Sequence, residues 1–172
     1  MNARAQASTE TITHEASEAL AGTGVVVDGA ALQQAGRRRL VRIFLARDVA
    51  DLAPEDTTST VEPLTLDEVA DATRAISDAF DSGDVMGEQP YTLEVSSAGV
   101  DRPLTTPEQY RRNVGRLLKL TLADGSTTTD RLTAAGPDHL TLAGRPDSPV
   151  PLDEVTRALV QVEFSRPDGK DD

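Results

Sequence analysis

Ser96, Ser97, Asp101 and Arg102 crowd into one short stretch, and a hydroxyl, a carboxylate and a guanidinium at such spacing are the raw material of nucleophilic catalysis. A serine nucleophile needs a base, yet no histidine or lysine lies nearby and the Gly-x-Ser-x-Gly pattern is absent. The two histidines, His14 and His139, stand most of the chain apart, and there is no cysteine, so no metal centre is expected. Phosphate loops of the Gly-x-x-x-x-Gly-Lys and Gly-x-Gly-x-x-Gly kinds are missing. The chain is therefore expected to be no enzyme and to use no cofactor.

Charge is the chemistry that remains. The net charge of −12 opposes a protein that grips bare nucleic acid over its whole surface. Residues 1–100 carry 17 acids and 7 bases, against 12 and 10 in residues 101–172. Within residues 48–94 there are 13 acids and a single base, Arg74, a segment suited to a basic partner or simply to a solvated face. Two basic clusters oppose it: Arg37, Arg38, Arg39 and Arg42, and then Arg111, Arg112, Arg116 and Lys119. Either could meet RNA phosphates. An aromatic content of 3% leaves too few platforms for base-by-base stacking, so Phe44, Phe80, Tyr91 and Phe164 are assigned to cores.

The stretch Leu93 to Leu104 is a junction. Tyr91, Leu93 and Val95 alternate with Thr92, Glu94 and Ser96 as in a half-buried strand, Gly99 offers a backbone free to take positive φ, and Pro103 stops any continuation. The proline also pushes Arg102 toward extended geometry, which would hold Asp101 and Arg102 on a stiff segment. The Ser96 and Ser97 hydroxyls are expected to cap the turn and Asp101 to pair with Arg102 or a backbone amide, with the loop also available for docking.

This stretch resembles the hallmark of the bacterial ribosome maturation factor RimP family, Leu-Glu-Val-Ser-Ser-Pro-Gly-Leu-Asp-Arg-Pro-Leu. Ten of twelve positions agree, with Ala98 and Val100 as the departures. The resemblance extends in layout over roughly residues 8 to 164. It implies an N-terminal α/β domain followed by a C-terminal SH3-like (Sm-like) barrel. It also implies a cytoplasmic factor that binds the immature small ribosomal subunit, assists maturation of its rRNA and promotes incorporation of the basic ribosomal protein twelve. A direct rRNA-binding module acting through the barrel is the alternative.

The elements that must position these groups follow from patterning. A chain of 172 residues with 38% hydrophobic content can pack two small cores, and an α+β fold is expected. Residues 1–22 lack the apolar core of a signal peptide and no run is long enough to span a membrane, consistent with a cytoplasmic monomer.

Residues 8–21 read as a helix and residues 24–33 and 38–47 as a hairpin around Ala35-Gly36. Residues 48–63, rich in Pro, Thr and Ser, read as a mobile connection without a packed element. Thr65 and Glu68 form a capping-box pattern opening a helix over 66–82, its stripe of Leu66, Val69, Ala70, Thr73, Ile76 and Phe80 facing a sheet. Asp67, Glu68, Asp71 and Asp78 should then project into water. Thr106-Pro107 opens a short helix within a junction over 99–115. Residues 116–164 break into four or five short strands, with turn signals at 124–125, 136–138 and 145–147, as in a small closed barrel. Residues 8–98 are read as the first domain, and residues 1–7 and 165–172 as disordered tails.

Overall fold

A computed structural model describes residues 8–99 and 101–163. The two segments read as tails, together with Val100 and Phe164, lie outside the described residues. The described residues up to Asp51 and from Glu62 to Gly99 form one compact unit, and those from Leu52 to Val61 with those after Gly99 form another.

In the first unit, helix α1 (Thr9–Ala19) starts where the Ser8 hydroxyl accepts the Thr11 amide at 3.2 Å and Thr11 Oγ1 accepts the Ser8 amide at 2.9 Å. It buries Ile12 and Ala16. Strands β1 (Val25–Ala35) and β2 (Arg38–Arg47) form an antiparallel hairpin whose two-residue turn is Gly36-Arg37. Gly36 has φ 64°, as the first central residue of a type II′ turn requires. Strand β3 (Tyr91–Ser97) pairs in parallel with β2, Val41 opposite Leu93 and Ile43 opposite Val95, giving the order β1-β2-β3.

Two parallel neighbours cannot be joined by a tight turn, so the chain between them must cross over the sheet. Helix α2 (Leu66–Ser82) lies on that crossover. Its entry is the reciprocal cap expected from sequence: Glu68 amide to Thr65 Oγ1 at 3.1 Å and Thr65 amide to Glu68 Oε2 at 2.7 Å. Ala72, Ile76 and Phe80 pack with Val41, Ile43 and Leu45 of β2 and with Ile12, Ala16 and Leu20. The expected stripe was drawn too early. Leu66 is 88% exposed and Ala70 is exposed, because at 3.6 residues per turn they stand roughly 80° and 120° away from Ile76 around the helix. The face actually buried is the 72-76-80 row.

In the second unit, helix α3 (Pro107–Arg112) begins at the Thr106 cap. Strands β4 (Leu117–Leu122), β5 (Thr127–Ala135), β6 (His139–Leu142), β7 (Arg145–Pro151) and β8 (Val155–Val160) follow, with one 3-10 turn (Leu152–Glu154) before β8. They form one antiparallel sheet in the order β7-β6-β5-β4-β8. Its core holds Leu118, Leu120, Leu132, Leu140, Leu142, Val150, Ala158 and Val160, with Tyr110 and Val114.

Two sequence expectations change here. No ladder joins β7 to β8 among the described residues, so the sheet is not closed as expected. Pro146, Pro149 and Pro151 leave β7 without three amide donors, which suits an edge strand. The turn expected at 145–147 lies at Ala143-Gly144 instead, where the Asp130 carboxylate accepts the Gly144 amide at 2.8 Å. Along β8, Ala158 and Val160 enter the core while Leu159 between them is half-buried; Val162, beyond the strand, is exposed.

The connection over 48–63 is not the unpacked segment its composition suggested. Its middle is held on the second unit: Arg111 Nε donates to the Asp56 carbonyl at 2.9 Å, Nη1 to the Ser59 carbonyl at 2.5 Å and Nη2 to Ser59 Oγ at 2.7 Å. The Ala135 amide donates to the Thr57 carbonyl at 2.9 Å. A partner 52 to 55 positions away supplies what local composition could not reveal.

Replacing Ile76 by Ala should lower the unfolding free energy by about 2–5 kcal/mol in a urea titration, whereas Leu66→Ala should stay within about 0.5 kcal/mol of the parent. Equal losses would mean that the two residues share one core face.

Candidate functional site

The acid of the first unit is displayed by the element that packs best. Helix α2 is driven onto the sheet by Ala72, Ile76 and Phe80, and the opposite side carries Asp67, Asp71 and Asp78 into solvent. Asp71 is paired with Arg74. Glu68 departs from expectation: it is half-buried and takes a two-pronged contact from Arg47, Nη1 to Oε1 at 3.1 Å and Nη2 to Oε2 at 2.8 Å. The Arg47 hydrogen bonds first, and the Thr65 amide second, hold its carboxyl below the ordinary value. Glu68 thus closes the helix cap and ties it to β2, and is not part of the open acidic face. Nearby, the Tyr91 hydroxyl donates to Asp81 at 3.0 Å, and burial foremost pushes that phenol upward.

The hallmark leaves the sheet at the end of β3. The Ala98 amide donates to the Leu45 carbonyl at 2.8 Å and fixes the exit. Ser96 and Ser97 are exposed, and among the described residues their hydroxyls make no hydrogen bond, so they do not cap the turn as expected. Asp101 is exposed and has no ion pair among the described residues, whereas Arg102 is half-buried and engaged. Gly99 does not adopt positive φ, and a Cβ placed there would meet nothing within 4 Å. In the second unit the segment is secured by the Leu104 amide on the Ala158 carbonyl at 2.9 Å, and by the Tyr110 hydroxyl on the Leu104 carbonyl at 3.2 Å. Burial drives the Tyr110 phenol up to about 12, so it remains a donor at any physiological pH.

The structure splits the second basic cluster. Arg111 is buried and spent on Asp56 and Ser59, with Nη2 also 3.2 Å from Asp56 Oδ1. Arg112 is half-buried and engaged. Arg116 and Lys119 are exposed. Sequence reasoning missed what strand pairing adds to Lys119. Lys119 lies opposite Thr129 and Leu159, and Thr121 opposite Arg157, on the face turned away from Leu118 and Leu120. Arg131, opposite Leu117 on that face, is paired with Glu163. The alternation of Arg157 with buried Ala158 was the available signal.

The first basic cluster lies at and beside the hairpin turn. Arg38 Nη1 donates at 3.4 Å to both the Tyr91 carbonyl and Thr92 Oγ1, Arg39 Nε donates to Gln89 Oε1 at 2.7 Å, and Arg42 pairs with Glu94 at 2.9 Å. His139 sits beside Asp138 at 2.7 Å, far from His14 in sequence. Among the described residues no group of three or more His, Cys, Asp or Glu is placed to hold a metal ion, and no helix is long and apolar enough to cross a membrane.

A family model described as the RimP N-terminal domain matches residues 16–101. A protein of Kineococcus radiotolerans named ribosome maturation factor RimP is 41% identical over 165 residues, covering 87% of this chain and 74% of that protein. The chain belongs to the RimP family. The RimP N-terminal match runs from within α1 to Asp101, so it takes in the sheet, α2 and most of the hallmark. The RimP relative extends the likeness over strands beyond that match.

Arg111→Ala should free the 52–61 segment, read as faster amide exchange there and at Ala135, with exchange in β2 unchanged. The same tie has an acid limit. The Ser59 hydroxyl first, then the Ser59 amide, hold the Asp56 carboxyl below its ordinary value of 3.8. A depressed folded-state value adds stability that is complete above 3.8 and is lost as pH falls through the lower folded value. Protection of residues 52–61 should therefore be flat from neutral pH down to 3.8 and fall below it; loss near pH 6 would exclude Asp56 as the cause.

Proposed function

We propose that this chain is a non-catalytic, cytoplasmic maturation factor of the small ribosomal subunit. It acts as a monomer that binds the immature subunit and promotes incorporation of the basic ribosomal protein twelve. The single observation that carries the reading is the exposed acidic face of α2, Asp67, Asp71 and Asp78, on a helix whose only base is Arg74. Family membership supports the ribosomal setting, and the name of the relative supports the maturation role.

An acidic surface attracts a polycationic ribosomal protein, raises its encounter rate and covers charges that would otherwise bind the wrong phosphates. When the correct rRNA site competes, the same interaction releases the cargo, because charge contacts at an exposed rim exchange readily. The exposed Ser96, Ser97 and Gly99, the serine hydroxyls unengaged among the described residues, provide a second docking edge on the first unit. The second unit completes the proposed architecture as an SH3-like barrel, with β7 and β8 as its open seam.

The alternative, rRNA held by the second unit, rests on Lys119 and Arg157 facing outward together. It is the weaker reading. Burial removes Arg111 from the proposed contact, and Glu163 neutralises Arg131 on the same face.

Charge reversal at Asp67, Asp71 and Asp78 to Lys should slow association with purified ribosomal protein twelve by about tenfold or more at low salt and flatten its salt dependence. An unchanged rate with an unchanged salt dependence would remove the acidic face from the mechanism.

A further inference from the structure

The first basic cluster has no role in the cargo-binding face. From Gly29 to Arg47 the chain carries five arginines, Arg37, Arg38, Arg39, Arg42 and Arg47, and no acid, inside a protein of net charge −12. Two of the five are neutralised where they stand: Arg47 by Glu68 and Arg42 by Glu94. The other three are not. Arg38 reaches only a carbonyl and a hydroxyl, and Arg39 a neutral amide oxygen. Arg37, at the turn, is exposed and has no partner among the described residues. Neutral acceptors orient a guanidinium without discharging it, so three positive charges remain at one end of the hairpin.

The shape of that end is equally specific. Beyond Leu32 every residue of β1 is exposed. β3 flanks the hairpin only as far as Arg39, which stands opposite Tyr91, so Arg37 and Arg38 lie past the β2–β3 ladder, on an end closed by a two-residue turn. It carries no aromatic ring between residues 30 and 43, so stacking on bases is not available to it. Forked donors without a carboxylate partner, on an exposed turn end without stacking groups, fit the phosphate backbone and not the bases.

We propose that the β1–β2 hairpin end, through Arg37, Arg38 and Arg39, is an RNA-backbone contact. It acts independently of the base sequence and opposes the acidic face of α2 in sign. The inference deepens the role proposed above by giving the factor its own hold on rRNA while the acidic face holds protein.

The test uses the full chain and protein-free small-subunit rRNA, with affinity measured by filter binding from low to moderate salt. Arg37→Ser/Arg38→Ser alters two exposed residues and should leave thermal stability unchanged, while making the slope of log affinity against log salt shallower by roughly 1.5 to 2. Lys119→Ser/Arg157→Ser should keep the parent slope. Failure of the parent to bind this RNA would overturn the inference. So would a parental slope in the hairpin variant, or loss confined to the Lys119/Arg157 variant. None of these results depends on ribosomal protein twelve, so the RNA contact can fail while the acidic-face reading stands, and the reverse.

Discussion

The parallel pairing of β3 with β2 is the constraint on which the first unit depends. Val41, Ile43 and Leu45 are fully buried on one face of a strand paired along both edges. A parallel third strand demands a crossover, and α2 lies on it with Ala72, Ile76 and Phe80 inward. Once that face is fixed, helical geometry leaves Asp67, Asp71 and Asp78 no place but solvent. The same constraint brings β3 out at the hallmark and leaves Arg37 and Arg38 past the end of the β2–β3 ladder. Arg47, near the end of β2, then braces the start of α2 through Glu68.

A buried guanidinium plays a comparable part in the second unit. Arg111 gathers two carbonyls, a hydroxyl and a carboxylate from residues 56–59, and thereby makes an otherwise featureless polar segment part of a folded unit. A cation this buried requires such compensation, since an unpaired charge away from water is strongly unfavourable. The consequence for function is subtraction: Arg111 cannot serve RNA while it holds the connection. Charge counts along a sequence therefore overstate the second unit's basic surface.

Local patterns were legible. The Thr65–Glu68 cap, the alternation in β2 and β3, and the Thr106-Pro107 start of α3 are decided by neighbours within a few residues, and the structure has them where the sequence put them. What escaped was set by distant partners. Glu68 looked like one more exposed acid until Arg47 met it from β2. The connection looked loose because its anchor lies on α3. Lys119 and Arg157 became neighbours only through the pairing of β4 with β8. Ser96 and Ser97 looked like turn caps by type, yet their hydroxyls stay unengaged among the described residues.

The protein is thus organised by charge of opposite sign on separate elements, each forced outward by its own packing: acid on α2, unneutralised arginine at the hairpin end. That organisation suits a factor working between a basic protein and an RNA. The most direct measurement is co-sedimentation of the full chain with isolated small subunits, isolated large subunits and complete ribosomes at two salt concentrations. The account predicts selective pelleting with free small subunits, weakened by salt. Equal pelleting with large subunits, or none with any particle, would contradict it.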